Sequence, residues 1–299
     1  MNQTALTHPS IALSADRLIG LRHVALAARE DAVLAASPGG FASPQKGRGL
    51  EIADLREYQT GDDLRHLDRG ATARTGRLHV RQFQEERDRI VLLVADFRAP
   101  MFWGLTRVLR SVAAAEALCL IGWTVITDGG RVGLLTLGDD EPVVLPPRGR
   151  DRAMLAAIGG LVSAHQAGLA RLAMGELPET SLDDQLGRVM RLAPAGAEII
   201  IASGFDHPGQ GFAEELGKIS RRRRLRLLNI TAAQSEKLPA GSYPIRLPNG
   251  QRLRVNLGAG PKTQAERIEG WPVTSLDAGD PVEAMARQLV TGLEPELAQ

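Results

Sequence analysis

Cysteine is almost absent. The 299 residues contain one, Cys119, so no internal disulfide can form and nothing points to an oxidising compartment. It lies in the apolar run 113–121 and reads as a small core residue rather than a reactive thiol. Lysine is scarce as well. Only Lys46, Lys218, Lys237 and Lys262 break an otherwise all-arginine set of 36 basic residues, which is a bias of composition rather than of function. Neither sign of charge dominates, because 35 acidic residues leave the net charge at +1. That balance argues against disorder and against an overall polyelectrolyte partner. No stretch reaches the ~18 uninterrupted apolar residues of a spanning helix. The N-terminus lacks the basic-then-apolar pattern of a secretory signal, so a soluble cytoplasmic protein is expected. The six histidines show no zinc spacing. Gly258-Ala-Gly260-Pro-Lys262-Thr263 fails the phosphate-loop spacing, and Gly47-Arg-Gly49 lacks the third glycine of a dinucleotide fingerprint. Ser203 lacks the flanking glycines of a nucleophile elbow.

What is present is an alternation of strand and helix patterns. Ser14 opens a helix to about Ala36, with Leu18, Leu21, Ala25 and Ala28 at roughly helical spacing. Leu78 to Phe83 alternates like a strand. Arg89-Ile-Val-Leu-Leu-Val-Ala-Asp96 and Ala197 to Ser203 are short continuous apolar runs, as expected of strands buried on both faces of a parallel sheet. Helices are predicted over Gly104–Gly122, Asp151–Leu172, Leu182–Leu192 and Gly211–Ser220. Strands are predicted over Arg131–Leu137 and Leu225–Ile230, with Glu141–Leu145 pairing back on the first. Tyr243–Leu247 and Arg252–Leu257 flank Pro-Asn-Gly as a hairpin, and Asp280-Pro281 starts a last helix. The expected fold class is α/β: a Rossmann-like, mostly parallel sheet with helices on both faces, plus an irregular or β N-terminal segment. The division falls into residues 1–88 and 89–299. Ligand sites in such sheets lie beyond the strand C-termini, at Asp96, Ser203 and Ile230. There Met101-Phe102-Trp103 reads as core filling ahead of an exposed anchor. Arg221 to Arg224, with Arg226, reads as a solvated helix end.

Residues 46–89 are dense in balanced charge. They contain Gly49-Leu-Glu51-Ile-Ala-Asp54-Leu-Arg56-Glu57-Tyr58, then Gly61-Asp62-Asp63-Leu-Arg65-His66-Leu-Asp68, then Ala73-Arg74-Thr-Gly. This long ungapped string resembles the bacterial domain-of-unknown-function family fifty-eight, whose members look like MoxR-associated von Willebrand factor A proteins. The resemblance runs from about Leu13 to His207. Arg69 stands where the family usually carries Trp. The resemblance implies a von Willebrand A-like domain, a MoxR-type AAA+ ATPase as partner, and no assigned biochemical activity.

Such domains carry a metal-ion-dependent adhesion site, with Asp-x-Ser-x-Ser after the first strand, a loop Thr and a later Asp. Here Asp96 matches, but Arg98 and Pro100 replace the serines and Gly204 stands where the later Asp is expected. Thr180 fits the loop threonine, and Asp206 lies two residues beyond Gly204. The residual metal set implied by the resemblance is therefore Asp96, Thr180 and Asp206, with Mg²⁺ as the possible ion. Arg98 brings a permanent charge to that place. Either it pairs with Asp96 and substitutes for the cation, or Asp96 is a strand-end cap.

For Arg56, Tyr58, Asp62, Asp63, Arg65, Asp68 and Arg74, two readings stay open: a partner-binding surface to which Arg98 would also belong, or an internal ion-pair network holding an irregular segment. The leading expectation is a non-enzymatic adaptor without a bound cofactor. Its rivals are a metal-dependent binding module and a hydrolase using Asp62, Asp63 or Asp96.

Overall fold

A computed structural model describes residues 8–36, 52–59, 67–83, 89–175, 180–232, 241–246, 252–257 and 267–293. Two compact units emerge: residues 1–36 with 89–299, and residues 37–88. The first helix, α1 (Ala15–Ala36), thus belongs with the sheet unit and not with the charged segment, because its apolar face packs there.

The larger unit is a seven-stranded, mostly parallel mixed sheet, ordered β10-β11-β7-β6-β3-β4-β5. Its strands are β3 (Ile90–Asp96), β4 (Arg131–Leu137), β5 (Val144–Gly149), β6 (Glu198–Ser203), β7 (Arg224–Thr231), β10 (Arg267–Ile268) and β11 (Trp271–Asp277). The five inner strands run parallel; β5 and β10 run antiparallel at the edges. The continuous apolar runs do what their pattern requires. On β3, Val91, Leu93 and Ala95 enter one core while Leu92 and Val94 enter the other. Side chains of a strand alternate between faces, so only a strand covered on both sides is apolar throughout. One face is covered by α1, α3 (Arg110–Thr127), α4 (Asp151–Met174) and α8 (Val282–Leu293). The other is covered by two single turns, α5 (Asp183–Leu186) and α6 (Val189–Leu192), and by α7 (Phe212–Ser220).

α3 and α4 are long and apolar enough, by length and composition, to cross a membrane. α3, however, is buried along nearly its whole length inside the domain core. Cys119 lies on it, fully buried, and burial pushes its thiol pKa far above the ordinary value. Glu116 is also fully buried there, ion-paired with Arg17 of α1 and with Arg107 at 2.8 Å.

Several boundaries differ from expectation. α3 starts at Arg110 rather than Gly104, because 104–109 form a tight loop in which Gly104 lies against the backbone of Val108. The helix expected over Leu182–Leu192 is broken at Gly187-Arg188. β5 begins at Val144, and its Pro146-Pro147 is tolerated because it is an edge strand.

The smaller unit pairs β1 (Ile52–Glu57) with β2 (His79–Phe83) around α2 (Arg69–Thr75). β8 (Gly241–Arg246) and β9 (Arg252–Leu257) form the expected antiparallel pair. Its turn, and the segment Gly258–Thr263, lie outside the described residues.

Candidate functional site

β7, β6 and β3 are neighbours in the sheet, so their C-terminal ends bring Ile230, Ser203 and Asp96 side by side. Asp96 is 1% exposed, as is Arg98. The chain turns at once after β3: the Arg98 backbone N–H donates to Asp96 Oδ1 at 3.0 Å, an Asx-type turn. This turn swings the Arg98 side chain back over its own strand. Its Nε donates to Asp96 Oδ1 at 3.0 Å and Nη2 to Oδ2 at 2.8 Å, a bidentate fork. Nη1 donates to the carbonyls of Thr180 at 2.9 Å and His207 at 3.2 Å, and Nη2 to that of Asp206 at 3.0 Å. A guanidinium has five N–H donors, and here every one is used. Ser203 completes the carboxylate, its hydroxyl donating to Asp96 Oδ2 at 2.5 Å while accepting from the N–H of Phe205 at 2.9 Å. Arg98 thereby ties together three loops: those after β3, before α5 and after β6. The last holds Phe205 and His207 at positive φ, 54° and 49°. A non-glycine residue adopts that conformation only where its surroundings over-determine it.

A second guanidinium stands beside the first. Arg110, at the start of α3, donates through Nε to the carbonyl of Ile230 at 2.7 Å and pairs with Asp206 at 2.8 Å. Gly204 makes room for it, since a Cβ there would lie 1.3 Å from Arg110 Nη2. Gly204→Ala is therefore expected to displace Arg110 and to cost about 1–3 kcal/mol, read as a lower urea midpoint. A midpoint equal to wild type would show that Arg110 moves aside freely.

Both sequence alternatives for Asp96 are realised together: it pairs with the Arg98 guanidinium and caps the strand end through the Arg98 N–H. Thr180 donates its hydroxyl to Asp139. Asp96, Thr180 and Asp206 are thus each engaged by protein groups, with two guanidinium cations between them. A hard dication needs about six oxygen ligands at ~2.1 Å. These residues do not fit one, and among the described residues no three His, Cys, Asp or Glu side chains are grouped to hold a metal. Nor is Asp96 open to a substrate, since both its oxygens are bonded and buried.

Behind the site, His165 of α4 is fully buried. It shares a hydrogen bond with Ser111 at 3.0 Å and meets Phe97 edge-on and Phe102 at a tilt. Burial lowers its pKa to about 4. Asp183 locks the loop before α7: it accepts the N–H of Gly211 at 2.8 Å and the hydroxyl of Ser181. That hydroxyl, with backbone N–H groups, holds its carboxyl below the usual value.

The motif residues belong to the smaller unit. Arg56 lies in β1. Tyr58 is half-buried, its N–H donating to Leu78 O at 2.8 Å. Asp68 caps α2, accepting from the N–H of Ala71 at 2.7 Å. Arg74 is exposed in its last turn, its Nε donating to Gly70 O at 3.3 Å. Asp62, Asp63 and Arg65 lie outside the described residues. Of the apolar trio after β3, Met101 is buried and Phe102 half-buried, but Trp103 is 52% exposed and Leu105 lies exposed beside it in sequence. In the basic run, Arg223 donates to the carbonyls of Ala193 and Met190 and Arg226 pairs with Glu198, while Arg221, Arg222 and Arg224 are exposed. Sequence reasoning placed Ser203 at the candidate edge but not its bond to Asp96, and it missed Arg110. The only signal for Arg110 was the glycine at 204.

Three relatives carry the same level of similarity: uncharacterized proteins of Mycobacterium bovis and of two strains of Mycobacterium tuberculosis, each 33% identical over 102 residues. The matched stretch covers 34% of this chain and 32% of each relative, so the likeness spans about a third of either length. The family described as protein of unknown function DUF58 matches residues 54–257. That span takes in both the charged motif and the Arg98 network, and the chain belongs to the DUF58 family.

Proposed function

We propose that this protein is a non-enzymatic interaction module of von Willebrand A-like type that engages its partner without a metal. The observation carrying this reading is Arg98. In a metal-dependent adhesion site a cation draws the loops above the sheet together. Here a guanidinium with all five donors satisfied does so, bonded to Asp96 and to the carbonyls of three other residues. The partner is the MoxR-type AAA+ ATPase that the family resemblance implies, and the face offered to it carries exposed Trp103 and Leu105. Large aromatic side chains are frequent anchors at interfaces. The work of the pair is assembly or maturation of a protein complex, in the cytoplasm.

Affinity capture from the native cell tests this, run with and without EDTA. The ATPase is expected in both eluates in equal amount, and titration calorimetry is expected to show no Mg²⁺ binding in the micromolar range. Capture that EDTA abolishes and Mg²⁺ restores would overturn the metal-free reading. Absence of any AAA+ ATPase from both eluates would overturn the partner.

A further inference from the structure

The end of the sheet that carries the Arg98 network also opens into a groove of about 90 Å³, between the β4–β5 connection and α4. Small-molecule and cofactor sites run to roughly 300–1,000 Å³, so this one is sized for a single side chain. Its walls are apolar, with Phe97, Phe102 and Val143 among them. Gly168 sets the position of Phe102: a Cβ on Gly168 would lie 2.4 Å from Phe102 Cζ, so the ring lies directly on the helix backbone.

The rim is charged. Asp139, Asp140 and Glu141 line it in succession, against one lining cation, Arg171. Arg171 is taken by Asp140, and Asp139 accepts the hydroxyl of Thr180. Glu141 is exposed and has no ion pair among the described residues. Three carboxylates against one guanidinium leave two negative charges in excess over apolar walls, in a chain whose net charge is only +1. The ligand that matches both properties is a long cationic side chain with an aliphatic stem.

We propose that this groove receives an arginine side chain from the partner protein, its stem against Phe97 and Phe102 and its guanidinium at Glu141 and the neighbouring carboxylates. The planar fork of arginine matches carboxylate geometry better than the point charge of lysine. The inference rests on the interaction reading above and names the chemistry that the partner brings to it.

The test uses the purified full chain and the peptide Ac-Gly-Gly-Arg-Gly-Gly-NH2, with norleucine replacing Arg in the control. Binding is followed by amide NMR shifts up to about 10 mM peptide, the range of weak single-side-chain contacts. The Arg peptide is expected to shift the amides of Phe102, Glu141 and Gly168; the norleucine peptide is not. Glu141→Gln is expected to weaken binding about threefold to fivefold, as for an exposed ion pair. Ala167→Leu, at an exposed position of α4 that lines the groove, is expected to abolish it. No shift with the Arg peptide, or equal shifts with norleucine, overturns the proposal. So does binding that survives Ala167→Leu unchanged. If the Ala167→Leu protein still captures the ATPase in full, the groove proposal fails while the interaction reading stands. If capture by wild type is lost in EDTA, the interaction reading fails, whatever the peptide does.

Discussion

Arg98→Leu is expected to lower the free energy of unfolding by about 3–5 kcal/mol, the range for removing one partner of a buried ion pair. The substitution leaves the Asp96 carboxylate, 1% exposed, with only Ser203 and one backbone N–H. It also leaves the carbonyls of Thr180, Asp206 and His207 without their guanidinium donor. Arg98→Lys should recover less than half of the loss, because an ammonium has three donors and no planar fork where five bonds are made. Asp96→Leu with Arg98→Leu should cost at least about 2 kcal/mol less than the sum of the two single changes, since each single change strands a buried charge and the double change strands none. Urea unfolding of the four variants supplies all of these quantities. A loss under about 1 kcal/mol for Arg98→Leu would mean that the network contributes little, in the manner of an exposed pair.

The second large effect is on pH dependence. In the unfolded chain the His165 imidazole takes a proton at its ordinary pKa of 6.5, whereas in the folded protein burial delays it to about 4. Between those values the unfolded state holds more protons, so stability falls as the pH falls. His165's contribution is fully present above pH 6.5 and lost by about pH 4, a span worth about 3 kcal/mol at 1.36 kcal/mol per pKa unit. His165→Leu removes this share of the acid-side slope, and carboxylate titration remains in both proteins. The difference between the two urea-midpoint profiles should therefore grow from pH 6.5 downward and level off near pH 4. Parallel profiles would show that His165 is solvated or already charged in the native state.

β3 and β6 were legible because each buries both faces and therefore reads as a nearly continuous apolar run, while β7 was legible from its Leu225-to-Ile230 core despite Arg226 and Asn229. β11 was not. It contains Pro272, Thr274 and Ser275, and most of its residues are only half-buried. Its assignment comes from parallel pairing with β7, forty-six residues upstream in register, which no local pattern encodes. The site divides the same way. Asp96 and Arg98 are two residues apart, so their pairing was visible as a possibility. Ser203 reaches Asp96 across 107 positions and Arg110 reaches Ile230 across 120. Such contacts follow from strand order, which the sequence expresses only after the sheet is assembled. Trp103 was misjudged for a related reason: the tight turn at Gly104 sends it outward while Met101, two residues earlier, points in.

The place of α1 in the fold has a consequence for synthesis. It is the first helix among the described residues, yet Leu18, Leu21, Ala25 and Ala28 share one core with Met285, Ala286 and Leu289 of α8, the last of them. About 260 residues separate their ends, which at ~5–20 residues per second is roughly 13–50 s of translation. For that interval the ribosome carries a helix whose apolar stripe is covered at best by α3 and α4. The core that α1 and α8 share is therefore completed only after α8 has been made.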